Sequence, residues 1–258
     1  MSVLSYLQTR ASNAVLSSDE RNSIAISTSS LQNRLIRHFP GELAEQFRFG
    51  SFTRDTILPR KMDERSDIDY MIVFKEGGYT PQTYLDRLRR FVSTYYQRSE
   101  IYQSSPTIVL ELNHIKFDLV PALKRAWGSG YQIPNGSGGW QDTEPNDFNQ
   151  VLEDTNKSNS YLIKPTIRLA KFWNSDARYI FDSFLFEKWI MALSYWSVSN
   201  QRDYLFTVFD NLSTHSVSEQ WRKDQIERAK KIVAKVRELE RDGMPYMAEA
   251  EVKKLIPE

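Results

Sequence analysis

The chain has 258 residues, enough for two packed lobes rather than one core. Apolar residues make up 40% of it, with 14 Phe, 13 Tyr and 6 Trp, which argues against global disorder. Its 34 basic and 33 acidic residues nearly cancel, against the basic excess of a nucleic-acid coat, and the lack of cysteine excludes disulfides and thiolate catalysis.

Only three histidines are present, His38, His114 and His215, too scattered for a His-rich zinc site. No apolar run approaches the ~18 residues of a membrane span, and the leading MSVLSYLQTR lacks the apolar core of a signal peptide. The expectation is a soluble, cytoplasmic protein without membrane contact.

Along the chain, Ser17 and Ser18 before Asp19-Glu20 mark a helix start. Ile24, Leu31 and Leu35 give that helix an apolar face running toward Phe39, and Pro40-Gly41 ends it. Glu45–Phe49 reads as a short strand that delivers Gly50-Ser51. Residues 54–66 are polar, carry Pro59 and include a loop; Asp67–Phe74 is a strand, closed by a turn at Gly77-Gly78. Pro81 opens a helix to about Arg98, with Tyr84, Leu88 and Phe91 on one face. Thr107–Leu112 and Lys116–Val120 form two strands joined at Asn113-His114. The outcome is an α+β lobe, a small mixed sheet with helices on one side.

Gly128–Pro145 holds five glycines and two prolines and is expected to be irregular. The pattern beyond it is helical. Asp147–Asn156 is one helix and Pro165–Trp173 another; Ser183–Trp196 is apolar almost all round and so central. Ser216 and Glu219 form a capping box for a long helix with Ala229, Ile232, Val233, Val236 and Leu239 on one face, ended by Gly243 and Pro245. A short helix over about Tyr246–Leu255 follows. The expected division is residues 1–128 for the α+β lobe with its leading helix, and 129–258 for a helical lobe including the glycine-rich connection.

The chemistry is concentrated in Phe49–Phe74. Residues two apart on a strand share a face, so Asp67 and Asp69 present their carboxylates side by side. Such a pair repels unless a cation lies between, and a hard divalent ion such as Mg²⁺ takes oxygen ligands it shares with phosphates. Asp118 is a third carboxylate inside an apolar strand, a costly placement without a partner. If Lys116–Val120 pairs next to Asp67–Phe74, all three face one side and could hold two metals. Gly50-Ser51 supplies close approach, a hydroxyl and N–H groups for phosphate oxygens. Arg54 and Arg60 could neutralise phosphate or serve as surface charge. Lys164, Arg168 and Lys171 recur at helical spacing as a basic stripe, whose alternative is a solvated face. Tyr161, Tyr179 and Trp140 are candidates for base stacking or for core, and His114 for an exposed turn.

Gly-Ser, then Asp-x-Asp, then a third carboxylate on a later strand resembles the nucleotidyltransferases of the DNA polymerase beta type. Within them, SDIDYMIVF, FDLVPA, the YQIP loop and IRLAKFWN are similar to the bacterial cyclic-oligonucleotide synthases (SMODS type) related to oligoadenylate synthase and cyclic GMP-AMP synthase. The likeness covers roughly residues 20–255. It implies a polymerase-beta-like lobe followed by a helical lobe, with the active site in the cleft between them. Asp67, Asp69 and Asp118 would be the catalytic metal ligands for two Mg²⁺, with Mn²⁺ as the alternative ion. Gly50 and Ser51 would bind phosphate, as would Lys171 and Ser183, and the position of Arg54 just after them makes it a further phosphate-binding candidate; Glu187 would be a buried structural partner of a basic residue. The implied reaction joins nucleoside triphosphates, ATP foremost, into a cyclic di- or oligonucleotide messenger with release of pyrophosphate. The implied role is antiphage defence through an effector that reads the product, with a regulatory protein as a further partner. The rivals are transfer of a nucleotide to tRNA, protein or a small molecule, and a non-catalytic nucleotide sensor.

Overall fold

A computed structural model describes residues 2–104, 106–215 and 217–258. The chain divides into two compact units, one of Met1–Val15, Lys61–Asp63 and Leu152–Glu258, the other of Leu16–Arg60 and Glu64–Val151. The boundary expected after residue 128 therefore falls inside the second unit.

That second unit is built on a sheet of β1 (Leu43–Phe49), β2 (Asp67–Phe74), β3 (Glu100–Ser104), β4 (Thr107–Glu111), β5 (Lys116–Lys124), β6 (Tyr131–Pro134) and β7 (Trp140–Thr143). The order is β1-β2-β5-β4-β3, with β6 added to β5 and β7 to β6. β2 and β5 run parallel; their other pairings are antiparallel. α2 (Ser18–His38) opens on the capping box of Ser17 and Glu20, and α4 (Pro81–Tyr95) has its proline in the first turn. A one-turn α3 (Gly50–Thr53) follows β1 directly.

Strand alternation sorts the side chains of β2. Ile68, Tyr70, Ile72 and Phe74 enter the main core with Phe117 and Leu119 of β5, Leu31 and Leu35 of α2, and Tyr84, Leu88 and Phe91 of α4. Met71 and Val73 pack on the opposite face with Ala122, against Phe47, Phe49, Tyr131 and Ile133. By the same alternation Asp67 and Asp69 belong to this second face.

Two expectations for this region change. Gly128–Pro145 is not irregular throughout: β6 and β7 pair as a hairpin, and β6 joins β5 at Leu123↔Gln132 and Lys124↔Tyr131, beyond the last residue that β4 covers. Strand β3, which pairs with β4 along its length, adds an edge that the sequence pattern did not mark.

The other unit is helical. α5 (Asp147–Ser158) leads into it, and α6 (Ile163–Asp176), α7 (Ser183–Met191), α8 (Gln201–Asn211), α9 (Gln220–Arg241) and α10 (Pro245–Val252) follow. α1 (Val3–Asn13) belongs here, packed on α6, α8 and α10, with Tyr6, Leu7 and Ala11 buried and the Tyr6 hydroxyl donating to Ile256 O at 2.6 Å. The long helix expected from Ser216 starts at Gln220 with Glu219 as N-cap. Ser216, half of the expected capping box, lies outside the described residues. The helix expected over Ser183–Trp196 stops at Met191 and is not buried all round: Phe184 and Leu185 are exposed, while Phe186, Glu187 and Ile190 are buried.

Candidate active site

β1 carries the chain to Phe49, whose Cα partner across the sheet is Asp69. Gly50 then turns at φ +72°, a conformation that favours a residue without Cβ. A Cβ built there would lie 1.8 Å from Asp69 Oδ2, so the turn approaches that carboxylate as closely as a glycine permits. No side chain caps the short α3 that starts at Gly50. The Ser51 carbonyl accepts from Thr56 N at 3.0 Å and Ile57 N at 3.1 Å, which ties the following loop back beneath the turn.

The parallel pairing of β2 and β5 sets Asp69 beside Asp118 and Asp67 beside Lys116. The three aspartates therefore come together on one face, as the spacing suggested. Asp118 Oδ1 is buried with no hydrogen-bond partner among the described residues. Burial, helped by the nearby Asp67 charge, pushes the Asp118 carboxyl up to about 6, against the pull of Lys116. The Lys116 ammonium lies 3.3 Å from Asp67 Oδ2. Burial opposes its charge, yet Asp67 and Asp118 outweigh this and hold it above the usual lysine range. Sequence reasoning missed Lys116; the available signal was a basic residue two positions before an in-strand aspartate.

Among the described residues no three His, Asp or Glu side chains already close into a metal cage. The donor set nonetheless fits a hard divalent cation: all are carboxylate oxygens, one of them buried and unsatisfied, beside a glycine turn that adds no side chain next to Asp69.

The remaining candidates separate. Arg54 is buried at the C-cap of α3, with its guanidinium 5.6 Å from the Phe148 ring centroid, and is not a surface charge. Arg60 is committed to Glu111 at 2.7 Å and to the Glu64 carbonyl at 3.1 Å, a structural role. Lys171 on α6 and Ser183 on α7 belong to the helical unit. Arg168 and Lys171 are buried, so the basic stripe is not a solvated face, and Lys164 pairs with Glu153. Glu187 is 1% exposed, in keeping with a buried role. The Tyr179 hydroxyl donates to Asp63 Oδ1 at 2.6 Å, Trp140 packs on Tyr84, and Tyr161 is exposed. His114 is held by Ser27 at 2.9 Å.

Residues 1–156 match the Second Messenger Oligonucleotide or Dinucleotide Synthetase domain. The chain belongs to this family. A probable cyclic nucleotide synthase of Bacillus cereus (strain VD146) is 29% identical over 198 residues, 61% of this chain and 59% of that protein; the match spans under two thirds of the relative. Two solved members of similar fold are CdnC of E. coli MS115-1 and CdnG of Bradyrhizobium diazoefficiens. The first gives a TM-score of 0.72 at 15% identity, over 99% of this chain and 98% of that one. The second gives 0.70 at 12% identity, over 97% of each. At such identities the likeness speaks for the synthetase fold, a polymerase-beta-like mixed sheet followed by a helical part.

Proposed function

We propose that this synthetase-family chain is a template-independent nucleotidyltransferase that builds a cyclic di- or oligonucleotide messenger from nucleoside triphosphates, ATP among them. The observation that carries this reading is the Asp69–Asp118 pairing across parallel strands beneath the Gly50 turn, with Asp118 Oδ1 buried and unsatisfied. Relatives of the same fold support it: CdnC is solved with ATP, CdnG with GTP, and Vibrio cholerae DncV with the linear intermediate 5′ pppA(3′,5′)pG.

Asp67, Asp69 and Asp118 would hold two Mg²⁺, or Mn²⁺, whose chemistry when bound is to neutralise charge at the attacking hydroxyl and the departing pyrophosphate. Gly50 and Ser51 bring backbone N–H groups and a hydroxyl to the triphosphate, with Arg54 behind them. Lys171 and Ser183 are the triphosphate contacts that the family resemblance assigns to the helical unit. Asp118 would polarise the ribose hydroxyl and take its proton as that oxygen bonds to the α-phosphorus and pyrophosphate leaves. Repetition of the step closes the ring. We place the enzyme in antiphage signalling, its product read by an effector protein.

Incubation with each labelled nucleotide, with and without Mg²⁺ or Mn²⁺, tests the reading. A small, phosphatase-resistant product that needs the divalent ion is expected. Label appearing only in added tRNA or protein would identify a different acceptor, and binding without turnover would identify a sensor.

Gly50→Ala probes the turn in the same assay. The new methyl cannot share space with Asp69 Oδ2, and φ +72° disfavours it as well. Product formation should fall at least tenfold, with a stability loss of about 1–2 kcal/mol in a urea melt. Unchanged turnover would show that the close approach is not needed.

A further inference from the structure

Lys116 is the first residue of β5 and lies beside Asp67 in the parallel register. Its side chain is only 15% exposed, with the ammonium 3.3 Å from Asp67 Oδ2 and within electrostatic reach of Asp118. A divalent ion on these carboxylates would meet the ammonium at Asp67 Oδ2, so the chain carries its own cation at the place where another is expected. Two carboxylates side by side repel, and an ammonium removes that repulsion while the ion is away. Loading then requires the ammonium to release or share Asp67 Oδ2, which offsets part of the binding free energy.

We propose that Lys116 is a positioning residue. It is a built-in counter-ion that pairs with Asp67 beside Asp118 in the metal-free protein and competes with the divalent cation for Asp67 Oδ2. It thereby sets the metal concentration at which the site fills. This rests on the reading of the three aspartates as metal ligands.

The test is Lys116→Met, with Lys116→Arg as the conservative control, followed by calorimetric titration of Mg²⁺ and Mn²⁺ without nucleotide and by melts in EDTA and in Mg²⁺. Lys116→Met should bind the ion about tenfold more tightly. Its Tm should drop in EDTA and recover with Mg²⁺ by more than the wild type gains, while Lys116→Arg should stay close to wild type. An unchanged metal affinity, with the same Tm loss in EDTA and in Mg²⁺, would reduce Lys116 to a strand-pairing residue and overturn the proposal. Weaker ion binding by Lys116→Met would overturn it too. The Asp67→Asn/Asp69→Asn double variant separates the two layers. If wild type binds no ion, or the double variant binds it equally well, the aspartate assignment itself fails, and the Lys116 proposal with it. If the ion is lost in the double variant yet Lys116→Met matches wild type, only the Lys116 proposal fails.

Discussion

Replacing Asp67 and Asp69 together by Asn should bring synthesis down at least about a thousand-fold, to background, with the fold intact. Both side chains sit on the face of β2 opposite the main core, so near-isosteric amides leave Ile68, Tyr70, Ile72 and Phe74 packed as before. What disappears is charge. A neutral amide oxygen holds Mg²⁺ more weakly than a carboxylate and offsets none of its charge, and Lys116 loses the carboxylate it pairs with at 3.3 Å. Circular dichroism and a thermal melt near wild type, alongside a labelled-nucleotide assay without product, are the expected pair of results. Product at wild-type yield would remove these aspartates from the reaction.

Asp118→Asn should also abolish synthesis, yet it should stabilise the metal-free protein at neutral pH. Burial raises this carboxyl from 3.8 to about 6, so the folded state holds its proton more tightly than the unfolded chain does. The resulting stabilisation is fully present below about pH 4 and is lost as pH rises through about 6. The shift corresponds to about 3 kcal/mol at most, and Asn, neutral throughout, escapes the loss. Urea melts in EDTA at pH 5 and pH 7.5 check the sign: the advantage of the Asn variant should be larger at pH 7.5. Adding Mg²⁺ should narrow that advantage, because only the wild type retains the full ligand set. A variant less stable than wild type at both pH values would mean that Asp118 already has a good partner in the metal-free protein.

The central strand was legible because Asp67-Ile68-Asp69 leads straight into an unbroken apolar run, and only a strand puts those carboxylates together. Asp118 was legible for a related reason, as a charge inside an apolar segment. The parallel register that puts Asp69 beside Asp118 and Lys116 beside Asp67 was not, because pairing between segments about fifty residues apart leaves no periodic mark. The hairpin of β6 and β7 stayed hidden because its four-residue strands are too short to show alternation and depend on the free edge of β5. The extent of α7 was overread because hydrophobicity was taken as burial. Leu185 is apolar and 64% exposed. Arg54 and Lys171 could be nominated as basic, but their burial comes from tertiary packing that local sequence does not report.

The bond from the Tyr6 hydroxyl to the Ile256 carbonyl joins residues 250 positions apart. Because α1 packs with the helices that follow residue 151, the sheet unit is in effect spliced into the helical one. Synthesis on the ribosome then imposes an order. Segment 16–151 contains all its strands and can mature while the rest is still being made, apart from the contacts of Lys61–Asp63. The helical unit must hold α1 unsatisfied until α6 and α8 emerge, and α1 gains its last partner only with α10, so this core closes across the whole inserted sheet segment. Its apolar surfaces are therefore the ones exposed longest to chaperones and proteases during biogenesis, and strand-side lesions and helix-side lesions should differ in how they lower cellular yield.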